Sequence, residues 1–191
     1  MNQLKENSVN IEPIKLLMGS HDDTAKTGSG CFMNVIAYLN GEPQITDQSP
    51  CVCVTVRPLA IKLNDLGNDE QRQRLLPFVL RAMGSATQDV AVLNARRARL
   101  RQYGQECHEI VTAWKAELKA EDAKRHADAY ANAYADANAY ADVYADAYAR
   151  RLKASLFNAG IRFLDDVLPA AEPVCEVVAQ RCETLVQLQS A

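Results

Sequence analysis

Apolar residues along this chain recur at helical rather than strand spacing. Phe32, Val35, Ile36 and Leu39 stand at i, i+3, i+4 and i+7 before Gly41, which predicts a short helix ending at that glycine. Pro58 suits the first turn of a second helix through PLAIKLND, closed by Gly67. Asn68 is placed to cap a third, DEQRQRLLPFVLRAM, in which Pro77 lacks an amide donor and must bend the axis or begin a new turn. Ser85 to Gln88 has the spacing of a capping box, so a fourth helix is expected through Tyr103 to a stop at Gly104. Between these, HDDTAKTGSG and EPQITDQSP read as polar loops, and residues 1–18 as a tail docking through Ile11, Ile14, Leu16 and Leu17. CVCVTV at 51–56 alternates and is β-branched without an evident pairing partner; it reads as an extended connection or the lead-in to a helix.

The second half has a different texture. From Gln105 to Ala159 there is neither Gly nor Pro, and an unbroken helix of that length would span about 80 Å. Such a length implies a projecting arm, a hairpin stem, or two helices with an unpunctuated break. Within it, ADAYANAYADANAYADVYADAYA alternates like a strand, yet Ala favours helices while Ala, Asp and Asn are depleted in strands. Position decides: at helical pitch Tyr130, Tyr134, Tyr140, Tyr144 and Tyr148 fall within an arc of roughly 120°, with Asp128, Asn132, Asp136, Asp142 and Asp146 opposite. The stretch is an amphipathic helix whose tyrosine face is a packing seam, internal or between subunits. Leu152 extends that face, whereas Cys107, Val111, Trp114 and Leu118 form a stripe pointing the opposite way along one ideal helix. The chain must bend, break or change partner between them. A last helix opens at Pro173, with Val174, Val177, Val178, Leu185 and Leu188 on its packing face.

The pattern predicts a mainly α protein: a tail (1–18), a compact unit of short helices (19–104), a long amphipathic helix or helical hairpin (105–159) and a C-terminal packing helix (160–191). At 191 residues and 48% hydrophobic, the chain can support one real core or a small domain with an arm. A net charge of -3 gives no overall attraction to nucleic acid or anionic membranes, and the acidic face opposite the tyrosines would repel phosphates. No apolar run approaches the ~20 residues that cross a bilayer, and the N-terminus lacks a signal-like core; a cytoplasmic setting is expected. Six cysteines without an export signal read as free thiols or metal ligands rather than disulfides.

Candidate chemistry gathers in the first half, where His21, Cys31, Glu42, Asp47, Cys51 and Cys53 flank loops. His21, Cys31 and Cys51 have the donor types of a zinc set, although no tight C-x-x-C pair is present. Alternatively Cys31, at a helix N-terminus where the dipole lowers a thiol pKa, is a nucleophile with His21 as base and Asp47 or Glu42 orienting it. A third reading makes the cysteines small buried hydrophobes. Arg96, Arg97, Arg99 and Arg101 spread around their helix and read as an ion-paired surface; Cys107, Cys175 and Cys182 read as core-facing thiols. No Walker A, dinucleotide glycine motif, H-E-x-x-H or G-x-S-x-G occurs.

Over residues 19–85 the string GSHDD, GSGCFMNVIAYLNGEP, TDQSPCV, LNDL and DEQRQRLLPFVLRAMGS resembles a family of uncharacterised bacterial and phage proteins. Their pattern is G-S-H, C-x-M-E-A-x-A-Y-x-x-G-E, D-x-P-x-C, N-D and R-Q-x-L-x-P. It is met here by Gly19, Ser20, His21, Cys31, Met33, Tyr38, Gly41, Glu42, Asp47, Cys51, Asn64, Asp65 and Arg72, with Asn34 in place of the family's Glu. The resemblance implies no activity. It groups His21, Cys31, Asp47 and Cys51 as one candidate site and implies a phage or mobile-element setting.

The expectation is therefore a binding or assembly protein, without enzymatic activity, whose partner is a second copy or another protein docked on the tyrosine face. A small ligand stays open and the cofactor is unknown. The alternative is a zinc protein or Cys/His enzyme.

Overall fold

The computed structural model describes residues 9–131, 137–170 and 174–189, with side chains other than those of 122, 125–131 and 137–148. Its elements run α1 (Thr24–Thr27), α2 (Phe32–Asn40), α3 (Arg57–Leu66), α4 (Asp69–Gln73), α5 (Leu76–Ala82), α6 (Val90–Ala131), α7 (Ala137–Val167) and α8 (Glu176–Gln189). The chain is mainly α, and the one bridge among the described residues joins Leu16 to Gly30.

The core is built around α2. Phe32, Met33, Asn34, Val35, Ile36, Ala37 and Leu39 are all buried, so this helix is covered on every side rather than along one stripe. Cys31 caps its start, with Sγ accepting from Asn34 N at 3.4 Å, and Gly41 ends it in the left-handed conformation at φ +74°. α1, α3, α5 and α8 pack around it. α8 also serves the end of α2: Arg181 Nη1 donates to Leu39 O at 3.0 Å, setting a cation where the helix dipole favours one. Further along α8, the Gln189 side chain accepts from Lys15 N at 2.9 Å and donates to Gly28 O.

Several helix boundaries follow their predicted punctuation. Asn68 and Gln71 form a reciprocal capping box at α4, Pro58 lies in the first turn of α3, and Pro77 begins a new helix, α5, instead of bending a continuous one. The 51–56 stretch is the lead-in to α3: Cys53 O accepts from both Val56 N and Arg57 N. Others differ. A single turn, α1, forms inside the expected loop HDDTAKTGSG. Ser85 does not cap α6; it is buried, with Oγ accepting from Cys53 N at 3.0 Å, and Asp89 does the capping through Ala91 N at 2.8 Å. α8 begins at Glu176, and its packing stripe is Val178, Cys182 and Leu185, while Val177 and Cys175 are exposed. Cys182 sits at i+4 from Val178, a step that the valine-based stripe left out.

Gly104 does not stop α6, which runs 42 residues, about 63 Å. It lacks the positive φ of a left-handed cap, and a Cβ there would meet open space, while its helix neighbours Leu100 and Tyr103 are packed against the core. Gly160 likewise lies within α7, and there the reason is contact: a Cβ would run into the side chain of Leu63 on α3. The boundaries expected at 104 and 160 thus fall inside helices.

α6 and α7 are antiparallel partners. Arg99 meets Asp166 at 2.6 Å, Glu106 meets Arg162 at 3.5 Å and Glu117 meets Arg151 at 3.6 Å, positions rising along one helix as they fall along the other. Tyr103 packs on Phe163 with ring centroids 5.5 Å apart. The hairpin root is anchored by Phe157, Phe163, Leu164 and Leu168, all in the core. Arg81 closes the carboxyl end of α7, donating to Asp165 O, Leu168 O and Pro169 O at 3.0, 2.8 and 2.7 Å while lying over the Phe78 ring.

The two interior glycines should respond in opposite directions to alanine. Gly104→Ala is expected to raise unfolding free energy by about 0.5–1 kcal/mol, since Ala loses less backbone entropy in a helix. Gly160→Ala should lower it by about 1–3 kcal/mol through overpacking against Leu63. Urea denaturation of both variants checks the pair; equal signs would contradict the two environments described.

Candidate functional site

The residues singled out in the first half do converge, though not in the grouping expected. Gly19, Ser20, Cys31, Met33, Asp47, Asn64 and Asp65 surround one cavity of about 50 Å³ at the N-terminal end of α2. Asn64, 1% exposed, organises it: Oδ1 accepts from Phe32 N at 3.1 Å, and Nδ2 donates to Leu17 O at 2.9 Å. Its own carbonyl accepts from Arg72 Nε at 2.8 Å, and Arg72, 4% exposed, also donates to Gly67 O at 2.7 Å and Asp69 at 2.6 Å. Asp65 Oδ1 accepts from Gly19 N at 3.1 Å, closing the loop over the cavity.

Cys31 forms the buried floor, with Asp47 and Asp65 beside it. Burial pushes its thiol up; the Asn34 and Met33 amides pull the other way, and the two carboxylates add to the rise. The helix terminus acts as expected, but desolvation and two negative neighbours outweigh it, so the thiol is held protonated rather than activated.

The contacts of His21 are with its own loop and with Asn34. The imidazole Nε2 pairs with Met18 O at 2.9 Å, and His21 N donates to Asn34 Oδ1 at 2.7 Å, so this residue braces the loop before α1. Cys51 lies elsewhere, its Sγ 3.1 Å from Ser49 Oγ, whose hydroxyl also meets Glu42. The zinc set His21, Cys31 and Cys51 is therefore not assembled; among the described residues no three His, Cys, Asp or Glu side chains are grouped to hold a metal ion. All six cysteines are free.

Cys53, the third cysteine of the candidate group, shifts the other way from Cys31. Burial raises Cys53, but the Thr55 amide and the Arg96 guanidinium outweigh it and lower its pKa. Arg96 is itself buried, donating to Ser85 O at 2.6 Å and Val167 O at 3.3 Å. The run of arginines accordingly splits: Arg96 ties α6 to the end of α7, Arg99 is shared by Asp166 and Glu106, and Arg97 and Arg101 face solvent.

The second candidate lies on the hairpin. A groove of about 200 Å³ between α6 and α7 has Ile110, Trp114 and Leu152 in its lining, with Glu117 and Arg151 at its charged edge. The Trp114 indole N–H is buried and finds no acceptor among the described residues. Cys107, Val111, Trp114 and Leu118 are all half-buried, as their stripe predicts. The face of Tyr130, Tyr134, Tyr140, Tyr144 and Tyr148 lies outside the described side chains. Among the described residues no helix is long and apolar enough to cross a membrane.

Comparison with protein-family models, curated proteins and solved structures finds no match for this chain.

The thiols give a signed prediction for stability against pH. Burial raises Cys182 from 9.0 to about 11, and Cys31 shifts in the same direction. Between those values the unfolded chain loses thiol protons that the folded chain retains, so stability is full below pH 9 and declines as pH rises toward 11. Melting temperature across that window should fall, and less steeply in Cys182→Ala measured against its own value at neutral pH. An unchanged slope would place the titrating group elsewhere.

Proposed function

We propose that this protein is a non-enzymatic binding and assembly factor, in which the short-helix unit is an anchor and the α6–α7 hairpin is the docking arm. One observation carries the reading. Beyond the root held by Phe157, Phe163 and Leu164, the hairpin leaves the core: from 104 to 121 no side chain is fully buried or packed against the core, and the stem's packing is of one helix on the other. Two helices alone cover one stripe each, leaving the stem with half-exposed Ile110, Trp114, Leu118 and Leu152. A protonated Cys31 whose nearest carboxylates oppose ionisation, and a His21 engaged with Met18 O, favour binding over Cys/His chemistry. The tyrosines further along the arm extend the surface available for association. The resemblance over residues 19–85 makes a phage or mobile-element accessory role the setting we favour, in a cytoplasmic location.

Light scattering on the full chain tests this. The expected result is a mass above one chain, with Tyr140→Ser plus Tyr144→Ser raising the dissociation constant at least about tenfold. A one-chain mass at every concentration would sink assembly through the arm.

A further inference from the structure

The proposed assembly has a partner written into the arm's own surface. At helical pitch Glu109, Ala113, Ala116, Glu117, Ala120 and Lys124 fall within an arc of about 100° on α6, and all six are exposed. This flank adjoins the Trp114 groove, since Ala113 and Glu117 belong to both. A helix laid on the flank therefore also covers the groove, including the buried indole N–H that finds no acceptor among the described residues.

Charge decides which helix fits. A two-fold contact requires the surface to be its own complement. Read against itself in reverse, with Ala113 opposite Ala120 of a second copy, the flank sets Glu109 opposite Lys124 at each end and Ala116 opposite Glu117 in the middle. Both ends become ion pairs, Glu117 beside its own copy at the two-fold axis is accompanied by Arg151 of its own chain at 3.6 Å, and the alanines allow the axes to approach to about 8 Å. Two hairpins joined this way make a four-helix bundle, the smallest arrangement that gives this stem an interior.

From this we infer that the protein forms an antiparallel two-fold dimer through the α6 flank between Glu109 and Lys124, beside the Trp114 groove. The inference rests on the assembly reading above and names its partner as a second copy of the chain.

Sedimentation velocity on the full chain, with emission from its single tryptophan, tests it. Dilution should convert two-chain to one-chain mass, with a shift in Trp114 emission over the same range. Ala116→Glu, which keeps a good helix former at an exposed site, should weaken the dimer at least about tenfold with helical circular dichroism unchanged. Lys124→Glu should also weaken it, by setting Glu109 against a like charge. Combining Lys124→Glu with Glu109→Lys should restore wild-type affinity to within about threefold. If the wild type dimerises but none of these variants moves the midpoint, this flank is not the interface; dissociation by the Tyr140/Tyr144 double variant alone would then leave the arm reading standing. A monomer throughout, with constant emission, overturns both.

Discussion

The short-helix unit depends on a single buried amide. Asn64 receives the first amide of α2, holds the carbonyl of Leu17 in the N-terminal strap, and passes its own carbonyl to Arg72. Two segments distant in sequence are thus fixed to one side chain with 1% exposure, and Arg72 is fixed to the main chain of the same residue. Every one of those polar groups would otherwise be stranded without water, at about 1–3 kcal/mol each, so the network is obligatory once the surrounding apolar residues close. Arg72 is tolerable in that interior because its donors are met by two backbone carbonyls and Asp69. The cavity at Cys31 is the space these constraints leave, rather than a site shaped around an activated thiol.

The hairpin resolves the reversal of apolar faces along the second half. On one straight helix the Trp114 stripe and the stripe through Leu152 point apart; once the chain doubles back they meet, and Trp114 and Leu152 line the same groove. A face reversal without intervening glycine or proline is therefore the mark of a helical pair whose connection lacks ordinary punctuation. Ion pairs on its flanks keep the register, with Arg99 and Arg162 sharing Glu106 near the root.

Much of the fold was legible in sequence because local chemistry and tertiary demand agreed. Asn68, Pro58 and Gly41 act where they were expected to, each satisfying or omitting a backbone group at a helix end. Legibility failed where packing overrode local preference. Gly104 is a helix interior residue because the stripes on either side share one continuous partner, and Gly160 because Leu63 needs the space. Ser85 lost its capping role to a long-range bond with Cys53 N, which no local spacing encodes. At the candidate site the sequence located Cys31 and Asp47 together but not Asn64 as the organiser or Asp65 as the second carboxylate; His21 and Cys51 shared the motif string without sharing the cavity. Residue types declare possible ligands, whereas convergence depends on which turn each side chain leaves from.

The contacts of α8 also set an order of events during synthesis. Arg181 bonds Leu39 O across 142 positions, and Gln189 reaches Gly28 and Lys15 across 161 and 174. A chain emerging from the ribosome must present its early helices, then extrude the whole arm, before the helix that covers the far side of α2 exists. Until then the apolar flank later closed by Cys182 and Leu185 stays open. Such high sequence separation makes completion of the core slow relative to growth of its local helices. Nascent chains carrying the arm but lacking residues 176–189 are the species in which chaperone capture and premature association compete with folding.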